Sequence, residues 1–138
     1  MNNRKIFIIS MFVMSLLFII IYNASKDRND FIDFLDKTNK NTEVYVNYEK
    51  VNNPQKIIES LKNIKKIYSL KSSPYDGGYW KVKIENSQSK IILGIKKGSY
   101  YKNEYWIYKK ILDPHYSQPF YKELGIVKTN IFDKYIEE

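Results

Sequence analysis

A chain of 138 residues is enough for one domain with a short appendage. Its hydrophobic share of 43% excludes global disorder, and its net charge of +8 rests almost wholly on lysine, since Arg4 and Arg28 are the only arginines. Scarce arginine argues against forked recognition of phosphate or guanine; the absence of cysteine excludes disulfides, thiolate metal sites, a cysteine nucleophile and thiol-linked lipid.

The abundance of Lys, Ile, Asn and Tyr together points to an AT-rich genome, so part of the positive charge reflects codon usage rather than a partner. The first element is an uncharged run from Ile6 to Tyr22, preceded by Arg4 and Lys5. As a helix at ~1.5 Å per residue it spans about 25 Å, the short end of a bilayer crossing. Ile6, Phe12, Leu16, Leu17, Ile20 and Tyr22 are the residues expected to meet lipid. The charges before it, against a balanced segment after it, predict a cytoplasmic amino terminus with the rest of the chain outside. Cleavage as a secretory signal is the rival reading. Its exit, IIIYNASKD, puts Tyr22 or Asn23 where a small residue belongs, which favours an uncleaved anchor over residues 1–25. Asn23-Ala24-Ser25 also fits a glycosylation acceptor, relevant only in a eukaryotic secretory route.

Residues 26–42 read as a juxtamembrane amphipathic helix, with Asn29 or Asp30 as cap and Phe31, Phe34 and Leu35 on one side, followed by a polar linker. The alternative is that this stripe packs on the main domain. That domain, residues 43–138, opens with TEVYVNYEK, whose alternation predicts a strand with Val44, Val46 and Tyr48 on one face. Asn53-Pro54 then predicts a helix start, and Ile57, Ile58, Leu61, Ile64 and Tyr68 form its apolar stripe opposite Lys56, Lys62, Lys65 and Lys66. Those lysines suit either solvent or anionic headgroups.

LKSSPYDGG is a loop; it matches neither a calcium loop nor a phosphate-binding loop. Next come GYWKVKIEN, KIILGIKK and EYWIYKKIL, predicted as a meander joined by NSQS and GSYYKN. Gly94 and Gly98 have small-xxx-small spacing but fall on a strand, which rules out helix dimerisation through them. DPHYSQP is a loop, LGIVKT a short edge strand, and NIFDKYIEE a terminal helix with Ile131, Phe132 and Tyr135 turned inward. The expected fold class is therefore α+β: an amino-terminal transmembrane helix, then a small extracytoplasmic domain with one mostly antiparallel sheet, β-α-β-β-β with an added edge strand, packed against a helix.

The meander carries the one candidate surface. With Trp80, Val82, Ile84, Ile91, Leu93 and Ile95 inward, the outer face holds Tyr79, Lys81, Lys83, Ile92 and Lys96. The third strand adds either Trp106, Tyr108 and Lys110 or Tyr105, Ile107 and Lys109, and alternation alone does not choose between them. Either way aromatics stand between lysines, which suits stacking on sugar rings and attraction of an anionic polymer. The same residue types also satisfy ordinary cross-strand packing.

Catalytic chemistry is thin. Asp113, His115 and Ser117 share one proline-flanked loop, whereas a triad is assembled across a fold by rigid elements. One histidine with no cysteine leaves little for a metal, and no cofactor motif occurs. The expectation is a non-catalytic binding module at a bacterial cell envelope, partnered by the bilayer and by a neighbouring membrane protein or an anionic envelope polymer; an outside location argues against nucleic acid. Two other classes stand beside it. One is an accessory or immunity-type subunit of a membrane complex. The other is a secreted hydrolase released by signal cleavage.

Overall fold

A computed structural model describes residues 3–65, 79–98, 103–115 and 117–136. The loop read over residues 70–78, Tyr68, Lys66 and all but the ends of the GSYYKN turn lie outside them.

The chain begins with one uninterrupted helix, α1 (Asn3–Asp36), long and apolar enough over its first part to cross a membrane. No break falls at Asn23, and no new cap forms at Asn29 or Asp30. The polar stretch from Asn23 to Asp30 contains neither Gly nor Pro, so nothing interrupts the backbone ladder. The segment expected as a separate juxtamembrane helix is thus the continuation of the apolar one. Phe31 and Leu35, one turn apart, are buried at 2% and 0% exposure in the domain core. The helix stops where the Thr38 hydroxyl donates to the Leu35 carbonyl at 2.6 Å. The expected linker is a compact turn: Thr42 is buried, its Oγ1 accepts from the Asn39 N–H, and its own N–H donates to the Asn39 carbonyl, both at 3.0 Å.

Strands β1 (Glu43–Val46) and β2 (Glu49–Lys50) form a tight hairpin in place of the single strand expected over TEVYVNYEK. Asn47 and Tyr48 both have positive φ, 48° and 74°, as a two-residue turn matched to strand twist requires. Helix α2 (Pro54–Lys62) follows, with Pro54 at its first turn and Asn53 at the cap position without a side-chain hydrogen bond. It buries Ile57, Ile58 and Leu61. The meander is β3 (Trp80–Glu85), β4 (Lys90–Lys97), β5 (Glu104–Ile111) and β6 (Phe120–Lys128), ending in the one-turn helix α3 (Asp133–Ile136). The expected terminal helix is shorter, but Phe132 is buried and Ile131 and Tyr135 pack against the core as read.

The strands form one antiparallel sheet in the order β2-β1-β3-β4-β5-β6. The expected short edge strand is the full β6, with a bulge opposite Ile107/Tyr108 that doubles a residue at Leu124. Phe31, Leu35 and the α2 stripe lie against Val44, Val46, Val82, Ile84, Leu93, Ile95, Tyr105 and Ile107, so the helices cover one face of the sheet. Burial of these aliphatic and aromatic side chains, at about 1.5–3 kcal/mol each, is the main stabilising term.

Candidate functional site

The face away from the helices carries the candidate surface. The pairing Ile95↔Ile107 places Ile107 and Tyr105 inward, and Lys96↔Trp106 with Gly94↔Tyr108 places Trp106, Tyr108 and Lys110 outward. That settles the choice left open by alternation. All six residues singled out in the sequence therefore lie on the outer face: Tyr79, Lys81, Lys83, Lys96, Trp106 and Tyr108. They do not act as one surface, because packing divides them.

One part is closed. Gly94 leaves a dip at the middle of the face, and a Cβ there would stand 2.8 Å from the Tyr121 ring and 3.0 Å from Tyr79. The rings of Tyr79 and Tyr121 stack over it at 4.6 Å and 17°, while Tyr108 meets Tyr79 edge-on at 5.0 Å. Tyr108 is 7% exposed, and burial, with Tyr79 and Glu123 nearby, pushes its hydroxyl up to about 12. Glu123, opposite Tyr108 on β6, has Oε2 buried without a hydrogen-bond partner, and burial pushes its carboxyl up to about 7. For Tyr79 and Tyr108 cross-strand packing is thus the better description. Lys96 and Trp106 are a directly opposed pair one row further along, with Lys96 exposed and Trp106 half-buried.

The other part is open. Tyr45, Tyr48, Lys81, Lys83, Ile92 and Lys110 line a groove of about 320 Å³, at the low end of the ~300–1,000 Å³ of ligand sites. β1, β3, β4 and β5 supply its floor, and the Asn47-Tyr48 turn forms one wall. The turn is pinned to β3: the Asn47 N–H donates to the Lys81 carbonyl at 2.8 Å, and the Lys81 N–H donates to Asn47 Oδ1 at 3.1 Å. Tyr48 is 82% exposed. A bulky residue held at φ 74° is uncommon and costs about 1–3 kcal/mol, a strain that the surrounding structure must sustain.

The cations in the groove are unequally engaged. Lys83 sits 4.0 Å from the centre of the Tyr45 ring and 2.6 Å from Glu85 Oε1, so a carboxylate already offsets part of its charge. Lys81 reaches the Tyr48 hydroxyl at 3.4 Å and lies 5.9 Å from its ring centre; among the described residues no carboxylate lies within ion-pair distance of it. At the rim the Tyr45 hydroxyl donates to Glu43 Oε2 at 2.5 Å, and Glu43 also pairs with Lys50. These bonds, Lys50 first, hold the Glu43 carboxyl below its usual value, and the bond to Glu43 holds the Tyr45 hydroxyl above its own. Sequence reasoning missed Tyr45 and Tyr48 as groove residues and offered Lys110 only as one of two alternatives for the outer face. Alternation alone puts Tyr48 on the inner face with Val44 and Val46, and only the turn at 47–48 reverses it.

Elsewhere, Asp113 Oδ1 accepts from the backbone N–H of His115 at 2.9 Å, the bond of a local turn, and His115 and Ser117 are exposed. Among the described residues no group of His, Asp and Glu is placed to hold a metal ion. Comparison with protein-family models, with curated proteins and with solved structures returns no match.

Proposed function

We propose that this chain is a membrane-anchored, extracytoplasmic binding module that holds an anionic envelope polymer in the groove between Tyr48 and Lys110 and catalyses nothing. One observation carries the reading: the sheet leaves its outer face clear of the described helices, and there a strained, 82%-exposed tyrosine stands beside a lysine that meets no carboxylate among the described residues. Strain of this kind, kept where a more permissive residue would relieve it, points to use of the side chain. Tyr45 and Tyr48 offer ring faces for sugar stacking, and Lys81, Lys83 and Lys110 outnumber the two nearby carboxylates, Glu85 and Glu43, of which Glu43 is already paired with Lys50.

The anchor reading is supported by the apolar first part of α1 and by the basic residues that precede it, with the domain outside and the amino terminus in the cytoplasm. Held in two dimensions, such a module works on whatever lies at the membrane surface.

The test uses the full chain in detergent and a poly(glycerol phosphate) probe, with a neutral glucan as control. Lys81→Ala combined with Lys110→Ala is expected to weaken binding of the phosphate polymer by about tenfold or more, equivalent to ~1.4 kcal/mol, and to flatten its salt dependence. Equal binding of both polymers by the parent chain, or unchanged binding by a folded double variant, overturns the reading.

A further inference from the structure

Outside α1, the exposed large hydrophobic side chains among the described residues are Tyr48, which belongs to the groove, and Leu112, 73% exposed on the loop between β5 and β6. The course of α1 gives Leu112 a location. Asp27 of α1 pairs with Lys122 near the start of β6. Nine positions further on, Asp36 pairs with Lys62 at the end of α2 at 2.7 Å, and the chain leaving α2 bridges at Lys65 to Ile126 near the end of β6. Helix α1 and strand β6 therefore run in the same direction. The start of β6, and the loop before it, point back along α1 toward its apolar part.

The distances are short. Asp27 lies five residues beyond Tyr22, about 7.5 Å along the helix. A headgroup layer is about 5–8 Å thick on each side of the hydrocarbon. From Lys122 back to Phe120 the strand descends about 7 Å more, to the level where the apolar run of α1 ends. Leu112 and the flanking Pro114 and Pro119 border a shallow depression of about 310 Å³ at that level, with Lys109 just above on β5.

We infer that this end of the domain rests on the bilayer, with Leu112 inserted among phospholipid headgroups and Lys109 facing anionic lipid. The inference rests on the reading of α1 as a membrane anchor and goes beyond it, since an anchor alone says nothing of which end of the domain touches lipid. The contact fixes the domain at two points, the helix and the loop, and holds the outer face of the sheet upright beside the membrane.

The chain has no cysteine, so single labels are simple to place. Leu112→Cys, Phe18→Cys and Asn130→Cys, each carrying an environment-sensitive fluorophore, are reconstituted as full chains in phosphatidylglycerol–phosphatidylethanolamine vesicles with headgroup-labelled quencher lipid. Phe18 reports the anchor, and Asn130, exposed beyond the far end of β6, reports the opposite end of the domain. Quenching at Leu112 several-fold stronger than at Asn130, with Phe18 also buried in lipid, is the expected result. Equal quenching at Leu112 and Asn130, with Phe18 buried, overturns the end-on contact and leaves the anchor standing. A Phe18 label exposed to water overturns the anchor and this inference together.

Discussion

Gly125 and Lys65 meet backbone to backbone at the free edge of β6. The Lys65 N–H donates to the Ile126 carbonyl at 2.8 Å, the Ile126 N–H donates back at 2.9 Å, and a Cβ on Gly125, at φ +150°, would fall on the Lys65 carbonyl oxygen. The bridge covers a strand edge that would otherwise offer unpaired groups to another chain. Gly125→Ala is therefore expected to cost about 1–3 kcal/mol, from the strained φ and the broken bridge. Urea midpoints of the two chains would show it, and an unchanged midpoint would rule out the close approach.

Tyr48 is expected to trade stability for binding. Tyr48→Gly relieves a left-handed conformation worth about 1–2 kcal/mol, part of which returns as lost chain entropy, so the variant should unfold at higher urea. It should also bind the phosphate polymer more weakly. A variant that is less stable, or that binds equally well, contradicts the role given to this turn.

Glu123 gives the fold a pH dependence of known sign. Burial raises its carboxyl to about 7 from an ordinary value of 4.5. The folded state then holds more protons than the unfolded one between those values, and stability falls as pH rises through that window. The side chain is partly exposed, so water screens the penalty to about 1–2 kcal/mol above pH 7. Melting temperatures at pH 5 and pH 8 should differ for the parent chain and converge for Glu123→Gln, which keeps the shape without the charge.

Leu35 tests whether α1 belongs to the domain. The side chain is fully buried among core residues. Leu35→Ala should cost about 2–5 kcal/mol, the range for a core leucine, although it lies outside the sheet and α2. A chain beginning at Lys37 should lose both Phe31 and Leu35 and fail to unfold cooperatively; a sharp transition from that fragment would show the helix to be dispensable.

The meander was plain in the sequence because Trp80, Val82, Ile84 and Ile91, Leu93, Ile95 alternate without interruption. The register of β5 was not, since Tyr105 and Ile107 are as apolar as Trp106 and Tyr108; the choice comes from cross-strand partners remote in sequence. The full length of β6 does not show in the sequence because its bulge and Gly125 break the period. The continuity of α1 was hidden by charge: Lys26 to Asp30 resembles a linker in composition, yet holds no residue that ends a helix. Of the groove, Lys81 and Lys83 were legible as an outer-face pair. Tyr48 was not, since Asn47 is the one turn-favouring residue there and tyrosine rarely takes the left-handed conformation.

Because α1 runs from its apolar part into the core without a joint, the proposed anchoring makes the bearing of the groove about the membrane normal a matter of helical phase. One residue inserted between Tyr22 and Phe31 would swing the whole domain by about 100° and raise it by ~1.5 Å. Seven would bring it back within about 20° of its original heading but roughly 10 Å higher. A module whose ligand lies on one side should lose it with the first insertion and regain it with the second only if the ligand is tall enough to follow.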